Sequence, residues 1–180
     1  MSKHEPKLSK GLSRKLQNQS APRARLVGTA LLDGDPSGAP PSEQPKGRSL
    51  SRGVVLLVED NPALALAYAR QLEKASLTVL VAGCGADAIA ALEAGARPVA
   101  VWTDLEMGAG PDGIDVLLAA ERCGCGAELL LVTSSPEDPR VRHIPERAAV
   151  FPKRLAIAAV RAASSAAARF RSKALRDPRA

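Results

Sequence analysis

The chain reads as a doubly wound α/β fold, a five-stranded parallel sheet with helices on both faces. Three observations predict it. Five apolar runs of four to six residues punctuate the sequence from Val54 onward, and helix-like stretches separate them, the pattern of repeated βα units. The runs are continuously apolar rather than alternating, as expected of strands covered on both faces. Four of the five end in a polar residue able to bind a metal or a phosphoryl group. In an open parallel sheet, ligands gather beyond the carboxyl ends of the strands.

Val54-Val55-Leu56-Leu57-Val58 is the first strand and runs into Glu59-Asp60. Asn61-Pro62 then starts a helix, with an Asn cap and Pro in the first turn. Leu64, Tyr68 and Leu72 mark its buried face. Leu77–Val81 is the second strand, and Asp87 helps start a helix that carries Ile89 and Leu92 and stops before Gly95. Val99–Thr103, the third strand, runs into Asp104; a loop over 105–112 and a helix from about Ile114 to Arg122 follow. Leu129–Val132 leads to Thr133. The crossover 134–147 holds Pro136, Pro139 and Pro145, which argues against a long regular helix. Ala148–Phe151, the fifth strand, is followed after Pro152 by Lys153, and a last helix runs from about Leu155 through Ala168.

Residues 1–53 carry 10 basic and 4 acidic residues, 54–152 carry 7 and 14, and 153–180 carry 8 and 1. An acidic body thus lies between two basic ends, which can meet nucleic acid, anionic lipid or an acidic partner surface, or serve only as solubilising tails. Residues 1–52 are rich in Pro, Gly, Ser and basic residues and read as a disordered tail, with 171–180 a second basic tail. Leu8, Leu12 and Leu16 form a weak apolar stripe within the first. Leu26–Leu32 is short and comes late for a signal peptide, and no run approaches a membrane span. Cys84, Cys123 and Cys125 are odd in number, and Cys123-Gly-Cys125 lacks the second pair of a zinc site. Reduced thiols and a cytoplasmic location are expected. Trp102 is assigned to the core.

Glu59, Asp60 and Asp104 would repel one another without a cation. Hard oxygen donors from two strand ends suit Mg²⁺, and a further carboxylate can serve as a nucleophile toward a phosphoryl donor, giving an aspartyl phosphate. Lys153 and Thr133 would hold the phosphoryl oxygens. In this order, and each at a strand end, these residues resemble the receiver domain of two-component response regulators, over about residues 53–170. The resemblance implies a flavodoxin-like strand order 2-1-3-4-5, with Asp104 the phosphoacceptor. It also implies Glu59, Asp60, Asp104 and the Glu106 backbone carbonyl around Mg²⁺, with Thr133 and Lys153 as phosphoryl-binding and switch residues. The stretch from Asp104 to Gly113 looks like the longer-loop variant found in receivers of hybrid histidine kinases.

Three positions depart from the family. Gly108 stands where Pro usually follows the loop Met, Arg154 where Pro usually follows the Lys, and Val150 at the position often held by an aromatic switch residue. Glu106 sits where the family often tunes dephosphorylation. The expected function is that of a stand-alone receiver, since nothing after the last helix is long enough for an output module. It would be phosphorylated by a histidine kinase or histidine phosphotransfer protein and would signal by binding a partner or passing the group on. The other reading kept open is a phosphorylation-independent scaffold or nucleic-acid binder using the basic tails. An Asp-nucleophile hydrolase would want Asp-x-Asp after the first strand, and no G-x-x-x-x-G-K-[ST] of a P-loop occurs.

Overall fold

The computed structural model describes residues 25–27 and 53–176. Six strands form one sheet: β1 (Arg25–Val27), β2 (Val54–Val58), β3 (Thr78–Ala82), β4 (Ala100–Thr103), β5 (Glu128–Thr133) and β6 (Ala149–Pro152), in the order β1-β3-β2-β4-β5-β6. The pairings from β2 to β6 are all parallel, so the five expected strands keep the order 2-1-3-4-5 among themselves. Chain order reverses between β2 and β4. That switch point opens a crevice beyond the strand ends.

The helices are α1 (Pro62–Lys74), α2 (Gly85–Glu93), α3 (Gly113–Arg122) and α4 (Ala156–Arg176). The Asn61 side chain caps α1, accepting from the N–H groups of Ala63 and Leu64. Tyr68 and Leu72 of α1 pack with Ala159, Val160 and Ala163 of α4 on one face of the sheet, against Val55, Leu57, Trp102 and Leu130. Leu92 of α2 and Val116, Leu117 and Ala120 of α3 cover the other face, against Leu56, Val58, Val101 and Leu131. Trp102 is buried, its ring 5.1 Å from that of Tyr68 at a tilt of 40°. Enclosing a side chain such as Leu72 is worth about 2–3 kcal/mol, and this small-aliphatic core holds the rim rigid.

Between β5 and β6 stands only a 3-10 turn, Pro139–His143, consistent with the three prolines there. Two expectations need correction. The disordered tail assigned to 1–52 contains β1, which pairs antiparallel with β3 in the register Arg25↔Val81 to Val27↔Val79. As the outer parallel strand, β3 would present an unpaired row of N–H and C=O groups, and three extended residues suffice to cover it. The rest of 1–52, including the Leu8, Leu12, Leu16 stripe, lies outside the described residues. The tail assigned to 171–180 is helical as far as Arg176, because a run rich in Ala, Arg and Lys has no breaker before Pro178. No helix among the described residues is long and apolar enough to cross a membrane.

Candidate functional site

Strand ends β2 and β4 are adjacent, with Val58 opposite Thr103, so Glu59 and Asp104 leave the sheet side by side. Both are buried, at 3% and 7% exposure. Lys153, just past the end of β6, reaches across to them. Its Nζ lies 2.7 Å from Asp104 Oδ2 and 3.3 Å from Glu59 Oε2. The cation that the acidic cluster demands is therefore supplied by the chain itself.

The remaining contacts orient these groups. Asp104 Oδ1 accepts from the Leu105 N–H at 2.7 Å. Glu59 Oε1 accepts from the Asn61 N–H at 3.2 Å. Burial pushes the Glu59 carboxyl above its ordinary value despite the opposing charge of Lys153. Burial also works against the Lys153 ammonium, but the hydrogen bond and charge of Asp104, with those of Glu59, hold its pKa above the usual lysine value. Each shift follows from taking a charge out of water or setting an opposite charge beside it.

Asp60 is exposed, and its Oδ2 accepts from the Gly108 N–H at 3.1 Å. Gly108 ties the loop after β4 to the β2 end, and its φ of +28 suits a residue without a side chain. Thr133, 2% exposed, ends β5; its Oγ1 accepts from the Ser135 N–H at 3.1 Å, which leaves the hydroxyl proton free to donate. The Glu106 side chain turns outward to Arg140 at 3.3 Å. Val150 is half-buried on β6, opposite Leu131, and packs toward the face covered by α2 and α3. The structure thus brings Glu59, Asp104 and Lys153 into direct contact and sets Asp60 and Thr133 at neighbouring strand ends. Among the described residues, no three His, Cys, Asp or Glu side chains converge as a ready metal cage.

Sequence reasoning missed three supports of this rim. Arg140, in the β5–β6 crossover, contacts Asp138 at 2.9 Å, Glu106 at 3.3 Å and Asp112 at 3.8 Å. No sequence signal marks it, because the partners Glu106 and Arg140 lie 34 residues apart. Gly113 opens α3 directly against the Asp104 carbonyl oxygen, and a Cβ there would collide with it. Asp112 and Asp115 form a reciprocal capping box at the start of α3, fixing where the loop after β4 ends. That spacing was readable.

No protein-family model matches the sequence, and no curated protein matches it. Many solved structures do. The response regulator receiver protein from Sinorhizobium medicae WSM419 is 25% identical with a TM-score of 0.58, over 66% of this chain and 99% of that one. The N-terminal domain of a response regulator/sensory box/GGDEF 3-domain protein from Carboxydothermus hydrogenoformans is 25% identical with a TM-score of 0.54, over 62% and 94%. A receiver domain protein from Clostridium thermocellum, at 17% identity and a TM-score of 0.55 over 67% and 95%, shares the fold. The chain thus has the fold of response regulator receiver domains and is similar to them at 25% identity.

Proposed function

We propose that the chain is a phosphoacceptor that takes a phosphoryl group onto Asp104 from a phosphohistidine of a histidine kinase or phosphotransfer protein. The observation that carries this reading is the Lys153 ammonium 2.7 Å from the Asp104 carboxylate in a buried, otherwise acidic rim. An Asp104 carboxylate oxygen attacks phosphorus, an O–P bond forms, the N–P bond breaks, and the histidine leaves with its electron pair and is then protonated. Lys153 can move from the carboxylate to a phosphoryl oxygen, and the free hydroxyl proton of Thr133 can reach another. Positioning and charge neutralisation supply most of the rate in such transfers.

Mg²⁺ fits the donor chemistry, since Glu59, Asp60 and Asp104 offer hard carboxylate oxygens from two adjacent strand ends. Asp60, Asp104 and the Glu106 carbonyl would hold it, with Glu59 beside them. When bound, the ion would neutralise charge on the phosphoryl oxygens. Lys153 and Thr133 then carry the switch, with Val150 a smaller relay than an aromatic residue. Output is by partner binding or onward transfer within a phosphorelay.

The test is labelling by a phosphorylated histidine protein or a small acyl phosphate, with and without chelator. Wild type should give one base-labile phosphate that depends on Mg²⁺, and Asp104→Asn should give none while its circular dichroism stays unchanged. Equal labelling of the two proteins would sink the assignment.

A further inference from the structure

At the end of α3 away from Asp104, the chain turns through Cys123-Gly124-Cys125 on its way to β5. Cys123 closes the helix, its N–H donating to the Ala119 carbonyl and that of Gly124 to the Glu121 carbonyl. Gly124 adopts a φ of +61, the left-handed conformation that reverses the chain there. The reversal brings both side chains to one acceptor: Cys123 Sγ lies 3.1 Å and Cys125 Sγ 3.6 Å from the Ala120 carbonyl oxygen. Two thiols on one oxygen lie side by side. Both are half-buried, so a small reagent can reach them.

The surroundings suit an anionic reagent. Cys123 lines a hollow of about 350 Å³ together with Leu92, Glu93, Arg97, Ala119 and Arg122. Two guanidinium groups against one carboxylate leave it net positive, which draws an anionic reagent toward Cys123. Arg97 also lines a cleft of about 620 Å³ on the Cys125 side, where Arg169 is paired with Glu128 at 2.6 Å and Lys173 of α4 adds positive charge. We propose that Cys123 and Cys125 form a redox dithiol, converted to an intramolecular disulfide by an anionic low-molecular-weight disulfide.

The Cys123 thiolate attacks one sulfur of the incoming disulfide, forming a mixed disulfide and releasing the first small thiolate. The Cys125 sulfur then attacks Cys123 Sγ, closing the Cys123–Cys125 bond and releasing the second. The protein loses two electrons and two protons, and the small disulfide is reduced to two thiols. Burial, and the bond with Cys123, push the Cys125 thiol up, which suits it to the resolving role. A ring closed across a single residue is small, and a strained bond of that kind is readily reduced again. The dithiol and Asp104 sit at opposite ends of α3, whose 10 residues span about 15 Å.

The experiment uses the full chain carrying Cys84→Ser, equilibrated with mixtures of oxidised and reduced glutathione, quenched in acid, alkylated and weighed intact. The expected product is lighter by two hydrogen atoms, takes up no alkyl group and regains both sites on reduction. Adding Cys125→Ser should stop the reaction at a single glutathione adduct on Cys123. Arg97→Ala with Arg122→Ala should slow oxidation several-fold by glutathione disulfide and leave a neutral disulfide unaffected. Full alkylation of both cysteines at the most oxidising ratio would overturn the proposal. So would two stable adducts, or disulfide-linked dimers in place of the internal bond. Equal slowing with charged and neutral disulfides would overturn the anionic reagent.

Discussion

Glu59 is the rim residue whose charge costs the fold most. Asp104 is paired at 2.7 Å with Lys153, and Asp60 is exposed, whereas Glu59 is buried and shares the same ammonium only at 3.3 Å. Its carboxyl is pushed above the ordinary 4.5, chiefly by burial, so the folded protein holds that proton more tightly than the unfolded chain. Stability should then fall as pH rises through the window just above 4.5. Glu59→Gln should flatten that slope and raise the metal-free melting temperature at neutral pH by a few degrees, of order 1 kcal/mol; an unchanged pH profile would count against this account. Lys153 gives the opposite edge. Its pKa is raised, so its contribution is intact below the ordinary 10.5 and is lost as pH climbs through the higher folded value. Gly113 makes a steric prediction instead: Gly113→Ala should cost about 1–3 kcal/mol in urea unfolding, because the new methyl meets the Asp104 carbonyl. The placing of Asp104, the acidic pair, Thr133 and Lys153 at strand ends was legible because each follows an apolar run without a spacer longer than one residue. Gly113 was not, since nothing local says which backbone atom it faces.

Elements were legible in proportion to how much periodic pattern they carry. The four helices and five parallel strands emerge from runs with several apolar residues each. β1 has three residues and no period, and only the open edge of β3 selects it. The end of α4 was underestimated because burial stops near Ala167 while helix propensity continues to Arg176. The β5–β6 crossover was correctly read as lacking a regular helix, but its tie to the acceptor loop depends on tertiary reach. There Arg140 meets Glu106, Asp112 and Asp138 at the surface, and Asp138 and Arg140 hold each other's charged forms. Exposed pairs of this kind add little stability, so Arg140→Ala should leave the melting temperature nearly unchanged. It should instead free the Glu106 carboxylate, which is 72% exposed, to reach water attacking the phosphoryl group. The aspartyl phosphate should then be shorter-lived in the variant at low salt. The difference should shrink as salt screens the contact over about 8–10 Å. Identical lifetimes at low salt would mean that the crossover does not govern the loop.

Across the whole molecule, charge and chemistry are segregated. The rim lies within 54–153, in a body carrying a net −7 over 54–152, while 153–180 carries +7 and 1–53 carries +6. On α4 the excess lies toward the protruding end, where Arg169, Arg171, Lys173 and Arg176 are exposed. Among the described residues, the hydrogen bonds that orient Asp104, Lys153 and Glu59 come from within 54–153. A chain trimmed to 53–176 should therefore still label at Asp104, at a rate close to that of the full chain. It should be less stable, because β3 loses the backbone hydrogen bonds of β1, each worth about 1 kcal/mol net, and gains an open edge. Restoring residues 25–52 should recover that stability without altering the labelling rate. The basic ends, if they act, do so through long-range charge toward an acidic partner, so partner affinity should drop with trimming and with added salt in parallel. A trimmed chain that melts cooperatively yet accepts no phosphate would show that the first 52 residues belong to the site, and the division of labour argued here would fail.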